Sequence, residues 1–420
     1  MTKKDKILFY ITLIFVLSLF FYLFNLSTKY IINYWTFSQA HINYSDGFVK
    51  RGLFGTILIF LEKKFSINFI KSFNIFFIFI YFSNIVLFFL ILKKYIRFLL
   101  LFLFFSLSPI LILFSFNDLG GFQRFDAISV FLILLHTYLA DLCLSEKITL
   151  RKYQKLFKFT IFPILFISIF IHEILCWSIP FHFFVMRNIF CKFNTKLNNL
   201  IIYFIILLIV SIIIFLYPVD QKTILSMMDN LNNKNLWLGA IEVASSSQGN
   251  FNIIEYEIKT NLLNFYNFKI NLFFLLLGII PINFLMYFFN KKNFIFIKKN
   301  NNYIYFYLSI IPYLTFFAIG DTGRWLHLIG ITSFSYFAQY PLLRNDFDFF
   351  KIINFYKKIL AYLLVFIYLF FIRLPHAGNL EEKKITIWGG LYKKFEAAYN
   401  IHFKDNFDEK FNFNKRFKKN

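Results

Sequence analysis

Long apolar runs separated by short polar segments extend from residue 7 to residue 373, and they constrain this chain more than any other feature. Runs such as 7–24, 98–114 and 201–217 are long enough, or nearly so, to cross roughly 30 Å of hydrocarbon. Because no water binds backbone groups at that depth, each run is expected to be a helix. Membrane strands would show alternating patterns, whereas these runs are continuously apolar. The sequence predicts an all-α fold, a polytopic transmembrane helical bundle.

The basic residues indicate which partners to expect. The formal net charge is +23, and the lysines and arginines lie in the gaps between apolar runs rather than in one soluble block. This distribution suits loops beside anionic lipid headgroups better than nucleic-acid binding. Membrane lipids are therefore expected partners, and nucleic acid is not.

The polar gaps alternate between Lys-rich segments and compact mixtures of Asp, Arg, Gly and His. Lys3, Lys4 and Lys6 place the N-terminus in the cytoplasm by the positive-inside rule. The alternation predicts about 11 spans within a transmembrane helical domain over 1–373, and a short extracytoplasmic tail over 374–420. The predicted spans are 7–26, 68–92, 98–115, 127–144, 159–171, 174–190, 199–217, 268–290, 303–319, 325–341 and 359–373.

Two outer loops are expected to carry interfacial helices. The apolar stretch 53–61 is too short to span and is followed at once by Lys63 and Lys64. Such a segment is typical of a helix lying in the membrane interface. The long outer loop over 218–267 has room for further short helices.

The first candidate cluster is the segment 45–55, SDGFVKRGLFG. Asp46 is a candidate base or metal ligand, Arg51 has the forked geometry that binds phosphate, and Lys50 adds a second cation. Glycines allow close backbone approach, and the start of a helix favours anions. A glycine-rich turn whose two cations bind headgroups explains the same residues equally well.

Two further clusters lie at predicted outer turns. Segment 117–126 ends with Arg124 and Asp126 at the mouth of a span, and His172 with Glu173 separates two short spans. A buried Glu173 without a cation would be costly, so we expect it to pair with Arg124 or Arg324. Local caps and structural ion pairs are the alternative interpretation of both clusters.

The fourth cluster, GDTGRW over 320–325, contributes Asp321 and Arg324, for which a charged turn is again the alternative. His136, inside a predicted span, is interpreted as a hydrogen-bonded packing residue. The chain has no Walker A, HExxH or CxxC pattern. Its three cysteines show neither a disulfide framework nor metal-ligand spacing, so no metal site is predicted. All four clusters are predicted to face the same side of the membrane, which indicates a shared site.

This architecture resembles the GT-C class of integral-membrane glycosyltransferases and, more loosely, the bacterial polysaccharide polymerases. GT-C enzymes place a catalytic acid in the first outer loop beside an interfacial helix, and Asp46 with the stretch 53–61 occupies the matching position. The resemblance implies the inner (plasma) membrane of a bacterium, with the N-terminus cytoplasmic and the C-terminus periplasmic. It also implies a polyprenyl-phosphate- or polyprenyl-diphosphate-linked sugar donor, and a glycan or lipid acceptor.

In that reading Asp46 is the catalytic base, assisted by Glu173 or Asp126. Substrate binding falls to Lys50, Arg51, Arg124, His172, Asp321 and Arg324. A divalent cation bridging an acid and the phosphate is compatible with this chemistry but not required. The rival readings are a transporter or flippase for an anionic lipid or solute, and a non-catalytic envelope assembly protein. The charges crowd the outer ends of the spans, whereas a transporter places polar groups near the midplane.

Overall fold

The computed structural model describes residues 3–28, 35–96, 98–114, 123–195, 198–234, 302–317, 322–339 and 355–371, with isolated positions between 236 and 283. These residues form helices and turns with no strand among them, which confirms the all-α class. Five of the described helices are long and apolar enough to cross a membrane, and a bent pair adds a sixth if counted as one span. The predicted span over 268–290 lies largely outside the described residues, and the tail over 374–420 lies wholly outside them.

Thirteen described helices position the site. They are α1 (Lys3–Thr28), α2 (Trp35–Gln39), α3 (Gly52–Phe65), α4 (Phe69–Leu92), α5 (Leu99–Leu107), α6 (Asp126–Leu144), α7 (Leu150–Ile171), α8 (Glu173–Lys192), α9 (Asn198–Leu216), α10 (Gln221–Asn233), α11 (Asn302–Phe317), α12 (Thr322–Ala338) and α13 (Phe355–Phe371). Helices α4 and α6 agree closely with the predicted spans 68–92 and 127–144. At the start of α4 the Asn68 side chain accepts the Lys71 backbone N–H at 3.2 Å, which satisfies one of the free donors there.

The predicted span over 98–115 is not one continuous helix. Helix α5 ends at Leu107, and Ser108 is extended with φ −63° and ψ 129°. Pro109 explains the break, because proline disfavours helical backbone at the preceding residue and has no N–H to donate. The chain continues through buried turns, in which the Ile110 carbonyl accepts a hydrogen bond from His327 Nδ1 at 2.9 Å. This irregular backbone is packed inside protein, as non-helical segments at membrane depth must be.

Helices α7 and α8 form a hairpin whose turn is the single extended residue His172. The sequence predicted short spans over 159–171 and 174–190, but α7 begins earlier, at Leu150, and α8 extends to Lys192. The basic segment before the first of these spans, including Arg151 and Lys158, is therefore part of α7 rather than a loop.

Helices α4 and α6 run in the same direction. Asn84 donates to the Ala127 carbonyl at 2.9 Å near the start of α6, and Lys94, just after α4, binds Asp141 at 2.8 Å near its end. Two contacts at matching heights along both helices fix this parallel arrangement.

Helices α8 and α12 share that direction. Arg324 at the start of α12 pairs with Asp126 at the start of α6, and Lys192 at the end of α8 donates to the Leu144 carbonyl at the end of α6. The first residues of α6, α8 and α12 therefore gather at one end of the bundle, here called the Asp126 end. Lys94 and Lys192 lie at the opposite end, here called the Lys94 end, where cations favourably meet the last carbonyls of helices.

Helix α3 covers the predicted interfacial stretch 53–61 and packs its first half against the bundle. Phe54 and Leu58 are buried, and Phe54 contacts the rings of Phe77 and Phe125. Gly55 makes this approach possible, because a Cβ added there would lie 2.1 Å from the Ile42 carbonyl oxygen.

Substituting Gly55 by alanine should therefore destabilise the protein by about 1–3 kcal/mol or more, the usual cost of overpacking. The reason is that the obstructing atom is backbone, which cannot rotate away. Gly278→Ala is the control, because its added Cβ would meet flexible Leu326 side-chain atoms at 3.3 Å. Thermal unfolding in detergent compares the two, and equal melting temperatures for both variants would contradict the close approach at Gly55.

Candidate functional site

A buried ion pair joins the first candidate cluster to the α7–α8 turn. Arg51 Nε donates to Glu173 Oε2 at 2.8 Å, and Arg51 Nη2 donates to Glu173 Oε1. The two side chains are only 5% and 8% exposed, respectively. Arg51 stands immediately before α3 in left-handed backbone, with φ 65°. That conformation is unfavourable for a residue with a Cβ, so the surrounding contacts must impose it.

A second guanidinium–carboxylate pair lies at the same end. Arg324 Nη2 donates to Asp126 Oδ1 at 2.7 Å, and Arg324 Nε donates to Asp126 Oδ2. Both pairs have the two-point geometry that makes arginine–carboxylate contacts strong. This pair fixes the start of α12 against the start of α6.

His172 lies between the two pairs. Its Nδ1 is 3.8 Å from Glu173 Oε2, and it is within electrostatic reach of Arg51, Asp126 and Arg324. Because Nδ1 accepts the Ile174 backbone N–H at 3.3 Å, we assign the ring proton to Nε2. The imidazole is thus neutral in this arrangement, and it is within electrostatic reach of both charged pairs.

Lys50 is the most unusual residue of this region. Its side chain is fully buried, and Nζ has no hydrogen-bond partner among the residues that the structure describes. Nζ lies 5.4 Å from the centroid of the Phe215 ring, which is a favourable cation–π contact. Such a contact contributes about 2 kcal/mol when desolvated, against a burial cost of several kcal/mol for an ammonium. Burial lowers the pKa of Lys50, Glu173 partly restores it, and Arg51 lowers it further.

Asp46 has a different environment from the other two candidate acids. Its side chain is exposed, and its carboxylate accepts a hydrogen bond from Ser226 Oγ of α10 at 2.6 Å. Thr223 Oγ1 donates to the Asp46 backbone carbonyl at 2.7 Å. Gly47 has φ 137°, and an added Cβ would lie 2.8 Å from Thr223 Oγ1. Asp46 is thus attached to α10, which bends 79° away from α9.

The structure brings part of the predicted cluster together, but the arginines and carboxylates pair differently from the prediction. The expected partners of Glu173 were Arg124 and Arg324, and that expectation is wrong, because Arg51 binds both of its carboxylate oxygens. Arg324 binds Asp126 instead, while Arg124 is half-buried in the turn before α6 and acts on Asp126 electrostatically. Asp321 lies outside the described residues. The pairings join segments far apart in the chain, which sequence spacing does not reveal.

A second polar network lies in the middle of the bundle. His136 Nδ1 is 2.8 Å from His182 Nδ1, and His136 Nε2 is 2.6 Å from the Tyr153 hydroxyl. The prediction that His136 is hydrogen-bonded is confirmed. Its two partners were not predicted from the sequence, although a histidine inside a predicted span, such as His182, is itself a signal of a polar contact.

A groove between α1 and α4 lies near the Asp126 end. Its lining combines apolar rings and chains with amides and one lysine, namely Phe21, Phe24, Asn25, Asn68, Ile70, Lys71, Asn74, Ile75 and Ile78. Asn74 Oδ1 accepts a hydrogen bond at 2.9 Å from Gln123 Nε2, in the turn before α6. The polar part of the groove therefore adjoins the turn that carries Arg124.

Within the described residues, no three His, Cys, Asp or Glu side chains come together as a metal site would require. Glu173 and Asp126 each bind a guanidinium with both oxygens, so neither offers a free carboxylate to a cation. The carboxylate of Asp46 is the more accessible oxygen donor.

The fold and this cluster define a helical protein with several helices long and apolar enough to cross a membrane and a buried polar site at one end. Comparison of the chain with protein families, with curated proteins and with solved structures finds no match.

The Arg51–Glu173 pair should be critical for stability. Glu173→Gln leaves the Arg51 guanidinium buried without a counter-charge, at an expected cost of about 3–5 kcal/mol. Glu146→Gln is the matched control, because Glu146 is 76% exposed and 3.8 Å from Lys192, where a pair contributes at most about 1 kcal/mol.

Thermal unfolding of each purified variant in detergent measures both effects. The double variant Arg51→Ala with Glu173→Ala should lose less stability than the sum of the losses in its two single variants. The reason is that each single change leaves one buried charge without its partner. Strict additivity would show that the two side chains do not interact.

Proposed function

We propose that the protein transfers a sugar from a polyprenyl-phosphate- or polyprenyl-diphosphate-linked donor to a glycan or lipid acceptor at the outer face of the bacterial inner membrane. The observation that supports this proposal is that the three candidate catalytic acids have different surroundings. Asp126 and Glu173 are each held by an arginine, while Asp46 is exposed and accepts a hydrogen bond from a serine hydroxyl.

From these surroundings we assign each acid a role. A carboxylate bound through both oxygens to a guanidinium is a weak proton acceptor, so Asp126 and Glu173 position helices. In the reaction, the acceptor hydroxyl oxygen bonds to the anomeric carbon while the bond from that carbon to the phosphate oxygen breaks. Asp46 takes the hydroxyl proton, and the polyprenyl (di)phosphate leaves with the electron pair. The Asp46 carboxylate already accepts a hydrogen bond from the Ser226 hydroxyl, so its position suits a site that binds hydroxyl-bearing acceptors.

Cations near Asp46 support a phosphorylated donor. Lys50 and Arg51 follow Asp46 closely in the chain, and developing charge on a leaving phosphate is stabilised by such groups. The groove beside Gln123 supports a lipid-linked substrate, because its wall is apolar and its polar end adjoins the Asp126 end. A divalent cation at Asp46 remains compatible with the same reaction.

The proposal includes the topology of about eleven spans, a cytoplasmic N-terminus and a periplasmic C-terminus, with the Asp126 end outside. The parallel directions of α4, α6, α8 and α12 support it, since these helices correspond to predicted spans that all run inward.

Cysteine labelling tests the orientation. Asp229→Cys on α10 and Lys152→Cys on α7 both replace exposed residues, in a background with the exposed Cys191 changed to serine. An impermeant maleimide added to intact cells with a permeable outer membrane should label position 229 and leave position 152 unmodified until the inner membrane is opened. Labelling of position 152 in intact cells would reverse the proposed orientation.

Transport of an anionic lipid or solute is the second candidate function. The break after α5 and the His136–His182 contact favour it, since transporters use interrupted helices and polar groups near the midplane. A sealed-vesicle assay distinguishes the two: a transporter moves the labelled lipid without forming a glycosidic bond.

Asp46→Asn should abolish transfer while leaving the protein folded. The amide keeps the shape of the side chain and is cheap to solvate at an exposed site, but it cannot accept the proton. Activity should fall by about two to four orders of magnitude, the scale of a lost general base. Glycolipid analysis in a deletion strain complemented with each variant measures the product.

Asp126→Asn is the matched control in that strain. It makes the same chemical change at an acid assigned to positioning, so it should reduce the amount and melting temperature of the protein, with activity per folded molecule less affected. Wild-type product levels with Asp46→Asn would remove Asp46 from the mechanism.

A further inference from the structure

The unpaired ammonium of Lys50 calls for a ligand. A fully buried lysine is rare unless it is paired, and an unpaired charge in a nonpolar interior is strongly disfavoured. The obvious counter-charge, Glu173, lies within electrostatic reach but gives both of its oxygens to Arg51. Within the described part of the chain, Lys50 Nζ therefore has three N–H donors and no acceptor for them.

Specific contacts of Arg51 and Phe215 define the surroundings of Lys50. The neighbouring Arg51 is held in left-handed backbone by its pair with Glu173, which fixes the chain direction just after Lys50. On the other side the Phe215 ring of α9 covers Nζ at 5.4 Å. An aromatic face is a weak substitute for an anion, and it belongs to a helix whose outer part is largely exposed.

We propose that Lys50 is the anchor of a phosphate-binding site, and that the ligand's phosphate takes the place of the Phe215 ring at Nζ. The site would bind the phosphate of a lipid-linked donor, and the polyprenyl phosphate that leaves in the reaction, through charge-assisted hydrogen bonds. This inference deepens the proposed function, on which it rests for the kind of ligand, by assigning the donor phosphate to Lys50 rather than to either paired arginine.

Access to this site runs past the end of α9. Phe215 lies close to the 79° bend between α9 and α10, and α10 is tied to the 45–55 segment by Ser226 and Thr223. A small movement at this bend would lift the ring from Nζ and admit the phosphate without disturbing Arg51 or Glu173.

A paired measurement of stability and binding tests the site. Lys50→Met removes the buried charge and keeps a long apolar side chain, so the melting temperature in phosphate-free detergent buffer should rise. The same variant should bind geranyl phosphate, a short isoprenyl phosphate, at least about tenfold more weakly than wild type, as expected for losing hydrogen bonds to a charged group. Geranyl phosphate should also raise the melting temperature of wild type but not of Lys50→Met.

The control variant is Lys155→Met, which removes an exposed lysine near the start of α7, outside both the groove and the 45–55 segment, and should alter neither measurement. Geraniol, which lacks the phosphate, should bind wild type and Lys50→Met equally. Inorganic phosphate bound as tightly as geranyl phosphate, with the same loss in Lys50→Met, would keep the site and make free phosphate its ligand.

Lys50→Met that binds geranyl phosphate like wild type would overturn the site, as would wild type that does not distinguish geranyl phosphate from geraniol. A lower melting temperature for Lys50→Met together with unchanged binding would make Lys50 purely structural. Lys50-dependent binding in a protein that forms no glycosidic bond would retain the phosphate site and reject the transferase, so the two proposals fail separately.

Discussion

The cost of burying charge among apolar helices governs this structure. Each arginine or carboxylate at the Asp126 end would be strongly destabilising alone, so the protein brings them together in pairs. Arg51 binds Glu173 across 122 residues of chain, and Arg324 binds Asp126 across 198. These pairs determine which helix starts lie side by side, and the arrangement of α3, α6, α8 and α12 at this end depends on them.

The pairing also separates structural from chemical roles. Two carboxylates and two guanidinium groups neutralise each other and become fixed parts of the bundle. Among the described residues, this leaves a buried lysine whose Nζ has no hydrogen-bond acceptor and an exposed aspartate that no described arginine or lysine binds, close together in the 45–55 segment. A cation and a base left over from structural pairing are the groups that a phosphorylated substrate and a hydroxyl acceptor need.

Backbone features of the 45–55 segment hold it against the helical bundle. Gly52 approaches the Tyr44 ring and Gly55 approaches the Ile42 carbonyl, both at distances that leave no room for a Cβ. Arg51, immediately before Gly52, adopts left-handed backbone. The segment therefore packs against the bundle with its cations buried and Asp46 exposed. Helix α10 binds the segment through hydrogen bonds to Asp46.

The sequence by itself determined the helical class and the bounds of α4 and α6, because continuous apolar runs bounded by polar residues leave few alternatives in a membrane. It also marked most of the charged residues of the site. The prediction of one continuous span over 98–115 was wrong, because Pro109 ends the helix. The Ile110 carbonyl in the buried turn that follows is bound by His327. Only the tertiary structure decided which arginine binds which carboxylate, that Lys50 is left over, and that His136 meets His182. Those facts depend on contacts between distant segments, and hydrophobic patterning records the burial of a helix but not the identity of its neighbours.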